Sequence, residues 1–463
     1  MKRDYKNLLK NVGVFTIANF TTKILNFLIL PLYTYYLTTE QYGTIDLVMT
    51  TISLLFPVFS LSIVDAVLRF GIENGKNKNI FFSFGFKIIC IGTLILGVLV
   101  SIAHLFISDS YLLIVFVVVF FFQGLNQLFG AFAKVLNRTK EMALITTLIS
   151  GITLVLNVLL IAVFKKGIRG YWLAMIFANI IGSIVYFLWL RLYRYINYDK
   201  SYHNKKILYS MLVYAIPLIP NSLFWWINSS LDRWTLTIMT SLSAVGLYSC
   251  ANKLPSLISS INSIFSQAWN LSLFQSKNDE DRKCFFGEIY YFYNETMFCI
   301  SIVIIMLAKF IAKIMFSKEF YLAWNLVPVL TMGVYYNSLN SFIGSLFTAG
   351  KKTKEIFITT SLGSAINLVC NFLFVYLIGV PGAAVSTLVS YIIVWIARVK
   401  KAEKIFKINI DKSKAILQFC ILGTLTMLMI MDKMWGLVLA VVVIYCMIYI
   451  VHILKKIHVV LKK

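Results

Sequence analysis

Apolar residues fill this chain in windows of eighteen or more, separated by short polar and mostly basic intervals, and the pattern recurs fourteen times. An α-helix rises about 1.5 Å per residue, so about 20 residues cross a hydrocarbon core of about 30 Å. The windows predict spans over 11–37, 43–70, 80–106, 111–133, 142–164 and 168–190. Six more follow over 207–239, 244–275, 284–308, 320–349, 355–378 and 382–399, and a last pair over 414–431 and 434–454. The expectation is an all-α polytopic membrane protein.

Two of these windows say nearly the same thing. TKEMALITTLISGITLVLNVL (Thr139–Leu159) returns as TKEIFITTSLGSAINLVCNFL (Thr353–Leu373), identical at eleven of twenty-one positions at an offset of 214. The matches include Thr139/Thr353, Lys140/Lys354, Glu141/Glu355 and Asn157/Asn371. One copy opens the fifth span and the other the eleventh. Six spans is an even number, so both copies cross in the same direction, as in a parallel repeat about an axis along the membrane normal. The predicted organisation is an N-terminal lobe over 1–194 and a polar linker over 195–206. A C-terminal lobe over 207–401 and a two-span appendage over 402–463 complete it. Two such pseudo-symmetric lobes leave a cavity between them, the architecture of a transporter.

Composition agrees: 59% of residues are hydrophobic and 13% charged, where a soluble domain carries about 25% charge. Forty-three Lys and Arg face nineteen Asp and Glu. On a soluble protein that excess suggests nucleic acid, but here the positive-inside rule explains it. With a cytoplasmic N-terminus, 32 basic residues fall in inside segments and seven outside, and both termini are cytoplasmic. The basic start, MKRDYKNLLK, leads into a full-length span with no cleavage site, so that span is expected to stay. Seven scattered cysteines and four dispersed histidines show no metal spacing, and no GxxxxGK[ST] loop is present. No metal, no cofactor and no ATPase motor are expected; coupling to Na+ or H+ is left open.

The chemistry-bearing positions concentrate in four helices. Pro31, Pro57, Pro217, Pro220 and Pro255 fall in spans one, two, seven and eight, equivalent pairs under the repeat. A proline frees a carbonyl and bends a helix, which membrane proteins tolerate where protein or water satisfies the freed group. Charges choose the same helices: Lys23 near the middle of span one, Arg233 beside Asp232 in span seven, and Lys253 in span eight. Asp65 and Arg69 lie in span two, and Lys87 in span three. A charge at bilayer depth costs several kcal/mol, so it faces a cavity or a partner. Asp232–Arg233 and Asp65–Arg69 suit local pairing as well as a cavity, and Lys87 is close enough in depth to pair with Asp65. Lys23 and Lys253 have no acidic neighbour one turn away, which favours a cavity role. A site with Lys23, Arg233 and Lys253 is cationic and suits a pyrophosphate. Phe224, Trp225, Trp226 and Trp234 supply either sugar-stacking faces or ordinary interfacial packing.

NFTTKILNFLILPLYTYYLTTEQYGTIDL (Asn19–Leu47), AVLRFG (Ala66–Gly71), LNRTKEMA (Leu136–Ala143) and its echo AGKKTKEIF (Ala349–Phe357) resemble the bacterial lipid-linked oligosaccharide flippases. These are the Wzx-type O-antigen or capsule repeat-unit translocases, the polysaccharide-synthesis branch of the multidrug/oligosaccharidyl-lipid/polysaccharide exporter superfamily. The likeness spans nearly the whole chain through short motifs. It implies a V-shaped, MATE-like bundle in the cytoplasmic membrane whose spans one, two, seven and eight line a cationic cavity. It also implies an undecaprenyl-pyrophosphate-linked glycan as substrate, passed from the inner to the outer leaflet by alternating access. Membrane lipid and polysaccharide polymerase or assembly proteins are the partners it suggests. The family has no invariant catalytic motif, so Lys23, Arg233 and Lys253 stand as cavity candidates rather than matched residues. A peptidoglycan lipid II flippase of similar fold is the nearest rival. A multidrug/cation antiporter would have twelve spans and an acidic cavity, and a glycan polymerase would need a large outer loop.

Overall fold

Helix follows helix along the chain, and among the described residues there is no β-strand. The computed structural model describes residues 27–73, 77–104, 110–196, 202–275, 279–350, 352–406 and 410–431. The first predicted span is therefore described only from its end, as α1 (Leu30–Tyr36) with Pro31 in its first turn. The fourteenth span lies outside the described residues. Spans two to thirteen all appear as helices at the predicted places, and ten described helical segments are long and apolar enough to cross a membrane.

Where the windows contain proline, helices break. The second span is α2 (Thr39–Phe59) and α3 (Ile63–Glu73). Thr38 starts α2 with a capping box: Gln41 N donates to Thr38 Oγ1 at 3.2 Å and Thr38 N to Gln41 Oε1 at 3.3 Å. LTTEQYG (Leu37–Gly43), within the Asn19–Leu47 stretch, thus has a physical role in starting a helix. After Pro57 the backbone turns through Leu61 and Ser62, at φ 51° and 48°, and Ser62 N returns to Pro57 O at 3.0 Å. These are left-handed conformations that non-glycine residues rarely adopt. Gly92 makes room opposite, for a Cβ there would lie 2.0 Å from Phe59 O.

The third to sixth spans are α4 (Lys78–Ala103), α5 (Ser110–Val135), α6 (Thr139–Asn157, continued as a π-turn over Val158–Val163) and α7 (Gly167–Trp189). The seventh is α8 (Tyr202–Ala215) and α9 (Leu218–Met239), parted at Ile216–Pro217, with Pro220 in the first turn of α9. The eighth is α10 (Leu242–Ala251) and α11 (Ser256–Gln275), parted by a turn ending at Pro255. Ser241 caps α10 by accepting from Ala244 N at 3.2 Å, the part Thr38 plays for α2. There follow α12 (Asp279–Met315), α13 (Val327–Ala349), α14 (Thr353–Ile378), α15 (Val380–Phe406) and α16 (Lys412–Ile430). Although α13 is long enough to span, it is not among the ten apolar segments. It is buried nearly all round, and a helix sheathed by other helices has no need of a lipid-compatible surface.

The chain divides into two compact units between Trp226 and Ile227, inside α9. Residues 202–226, which form α8 and the start of α9, fall with the first unit. Arg69 lies 4.3 Å from the Tyr214 ring centroid, and Met211 and Ala215 share a core with Ile63, Val67, Phe82 and Phe132. In the first unit α7 packs most extensively on α6 and α5. In the second, α15 packs most extensively on their sequence counterparts α14 and α13. Asn157 and Asn371 are both fully buried, each turned into its own bundle.

Candidate functional site

Polar residues recur at helical spacing along one face of each of three helices in the second unit. On α9 they are Asn228 and Asp232; on α14 Thr360, Ser364, Asn367 and Asn371; on α15 Thr387, Ser390 and Tyr391. Spacings of three and four residues place side chains one above another, so three stripes meet as a single buried column. At its head is Asp232, 2% exposed. Its carboxylate accepts from the Tyr248 hydroxyl of α10, from Asn371 Nδ2 at 2.6 Å, and from Thr387 Oγ1 at 3.0 Å. Asn371 spends its second N–H on Asn367 Oδ1 at 3.1 Å, and Asn367 donates to Thr387 Oγ1 and Ser390 Oγ, both at 3.4 Å.

Below it the column continues. Asn228 donates to Ser364 Oγ at 2.5 Å, and the Tyr391 hydroxyl donates to Asn228 O at 3.0 Å. Arg398 closes the base with three bonds, to Asn340 O at 2.6 Å, Thr360 Oγ1 at 3.0 Å and Thr359 Oγ1 at 3.1 Å.

A buried carboxylate is expensive unless donors or cations compensate it. Asp232 has three neutral donors, with Arg233 Nη1 4.0 Å away. Yet Asn371 Oδ1 is buried without a hydrogen-bond partner. This neighbouring orphan acceptor leaves the cluster short of one donor. One carboxylate among neutral oxygens suits a proton or a monovalent cation better than a divalent one. Among the described residues no group of three or more His, Cys, Asp or Glu is gathered to hold a metal ion.

The cavity candidates fare unevenly. Lys23 lies outside the described residues. Arg233, 13% exposed in its side chain, donates to Ser229 O at 2.7 Å and sits 5.2 Å from the Tyr248 ring centroid, so it buttresses the Asp232 cluster. Lys253 is half-buried in the turn between α10 and α11 and makes no ion pair among the described residues. The secondary charges do not form one network. Arg69 pairs with Glu73 at 3.1 Å, both of them exposed, rather than with Asp65. One turn further along α3, Glu73 reaches the guanidinium while Asp65 and Lys87 stay exposed, and neither makes an ion pair among the described residues. Trp226 donates its indole N–H to Thr50 O at 2.8 Å, which marks it as a packing residue.

Sequence reasoning found Asp232 as half of a pair and Asn371 as half of a repeat, but missed Thr387, Asn367 and Tyr248. The signal was there in the three- and four-residue spacing of polar side chains inside apolar windows.

The fold belongs to a known class. The lipid II flippase MurJ, in an inward closed conformation, superposes with a TM-score of 0.69 at 17% identity, over 96% of this chain and 99% of that one. An inward-facing multidrug resistance MATE family transporter of the MOP superfamily gives 0.66 at 14% identity, over 83% and 95%. A MOP superfamily transporter from Pyrococcus furiosus, described for the reverse polarity of its binding pocket, gives 0.60 at 15% identity, over 88% and 97%. This is a multi-pass membrane protein with the MOP transporter and flippase fold. Its family is narrower: residues 8–270 match the polysaccharide biosynthesis protein family, and the chain belongs to it. Curated protein sequences give no significant match.

Proposed function

We propose that the protein is a flippase for undecaprenyl-pyrophosphate-linked oligosaccharide repeat units. It moves them from the inner to the outer leaflet of the bacterial cytoplasmic membrane by alternating access, for surface polysaccharide assembly. The observation that carries this reading is membership of the polysaccharide biosynthesis family over more than half of the chain. In this reading Lys23 and Lys253 bind the pyrophosphate, and Arg233, beside Asp232, is the third basic group of the site. A binding site of altered polarity has a parallel in the Pyrococcus furiosus protein, whose pocket is described as reversed. Asp232 is the coupling group: protonation or a bound Na+ would neutralise it, and the helices α9, α10, α14 and α15 that share its hydrogen bonds would repack together.

The experiment is export of surface glycan in a strain whose own copy is deleted, measured beside the amount of membrane-inserted protein. Lys23→Ala and Lys253→Ala should each reduce export at least tenfold at normal abundance, and Lys23→Arg should retain much of it. Tenfold corresponds to about 1.4 kcal/mol, a modest demand on a charge in a semi-dry site. Normal export by both alanine variants would refute the cationic mechanism. Rescue of a strain depleted of its lipid II flippase, without rescue of glycan export, would replace the substrate assignment.

A further inference from the structure

A second polar site lies in the same unit, where α12, α13, α15 and α16 meet. A cavity of about 160 Å3 is walled there by five aromatic side chains, Tyr290, Tyr291, Tyr335, Tyr336 and Trp395, with Asp411 and Lys414. We propose that it binds an organic ammonium group, of the kind an aminophospholipid headgroup presents at the membrane surface.

The aromatic wall already takes an ammonium from the chain itself. Lys414 Nζ stands 4.0 Å from the Tyr291 ring centroid, a cation–π distance. That lysine is also neutralised, since its Nζ is 2.5 Å from Glu295 Oε1, and Glu295 is 3% exposed. The second carboxylate, Asp411, gives one oxygen to Lys414 N at 3.0 Å as the cap of α16 and makes no ion pair among the described residues. With the Lys414 ammonium met by Glu295, Asp411 leaves an acidic group on the rim with no ion pair among the described residues, which favours a cation over an anion. Several faces of a tyrosine and tryptophan box around an acidic rim are what an alkylammonium needs.

The polar side of the box is fixed in place. Tyr335 donates to Asn294 Oδ1 at 2.6 Å, Asn294 to Gln418 Oε1 at 2.9 Å, and Gln418 to Glu295 Oε1 at 3.0 Å. These bonds hold Tyr335, and Trp395 donates to the Tyr290 hydroxyl at 3.3 Å, so three of the five rings are fixed without a ligand, and such preorganisation reduces the cost of binding. Depth supports a lipid source. Asp411 and Lys414 begin α16, a membrane-length helix, and the first turn of a span lies at headgroup level. None of this depends on which lipid-linked glycan is carried.

The test uses the full-length protein purified in detergent and examined by native mass spectrometry. The probes are phosphatidylethanolamine, phosphatidylglycerol and, separately, tetramethylammonium. Phosphatidylethanolamine should be retained at about one per chain and phosphatidylglycerol at least tenfold less. Asp411→Asn keeps the helix cap, because Asn caps as well as Asp, and removes only the charge. It should lower retention about tenfold with an unchanged thermal transition, and Tyr336→Leu should lower it further. Retention of tetramethylammonium alone would uphold the ammonium chemistry and assign it to a soluble cation. Equal retention of phosphatidylglycerol, retention of neither amine, or an Asp411→Asn protein that binds normally would overturn the proposal.

Discussion

Asp232 concentrates more of the second unit's polar bonding than any charge that composition singled out. Its removal has two separable consequences. Asp232→Ala strands the Tyr248 hydroxyl, an Asn371 N–H and the Thr387 hydroxyl, each at about 1–3 kcal/mol when buried, so membrane-inserted protein should fall several-fold on an immunoblot. Asp232→Asn keeps the size and most of the bonding but cannot change charge. It should leave abundance within about twofold yet abolish the dependence of glycan export on a pH or Na+ gradient, measured with inverted vesicles. Gradient-dependent export by Asp232→Asn would remove it from the coupling role. Arg398 offers a contrast. It is 3% exposed and fully engaged with backbone and hydroxyl oxygens. Arg398→Met should therefore act on folded yield and not on gradient dependence.

The break between α2 and α3 is the clearest case of an element shaped by a few residues. Pro57 has no N–H to bond the carbonyl of Ser53, and just beyond the helix end the consecutive residues Leu61 and Ser62 accept left-handed backbone. Such a conformation costs a non-glycine residue about 1–2 kcal/mol. Leu61→Gly should raise the thermal midpoint of the purified protein by a few degrees, whereas Leu61→Val should lower it. Gly92→Val puts a branched side chain where even a Cβ meets Phe59 O at 2.0 Å. Its product should be largely absent from the membrane. A midpoint unchanged in Leu61→Gly would mean that the turn is not under strain. Proline positions were enough to place all three breaks within the predicted spans. They did not reveal which unit α8 and the start of α9 join. That outcome depends on α8 burying Met211 and Ala215 in the first unit's core, and no local pattern records which bundle an apolar helix joins.

At the scale of the whole molecule the loop charges make a sharp prediction about orientation. In a cysteine-free background, a single cysteine at position 380 should react with an impermeant maleimide in intact cells. One at position 203 should react only after permeabilisation, and the reverse pattern would refute cytoplasmic termini. The order of the described spans follows from hydropathy alone, because a backbone in lipid must bond within its own helix and needs about 20 apolar residues to do so. The echo rests on eleven identities in register, and the helix pairings around α7 and α15 repeat within each of the two units. What sequence by itself determined is therefore one-dimensional: where helices start, where proline interrupts them, and which segments echo. Tertiary structure decided the rest, namely which polar residues meet. Asp232 was legible as a charge beside Arg233, but its partners Asn371 and Thr387 come from helices more than a hundred residues away in sequence. Arg69 was equally able to reach Asp65 or Glu73 by spacing, and only the packing of α3 against Tyr214 selects Glu73. Burial turns a polar residue into a site by forcing it to find partners, and burial is a property of the assembled bundle.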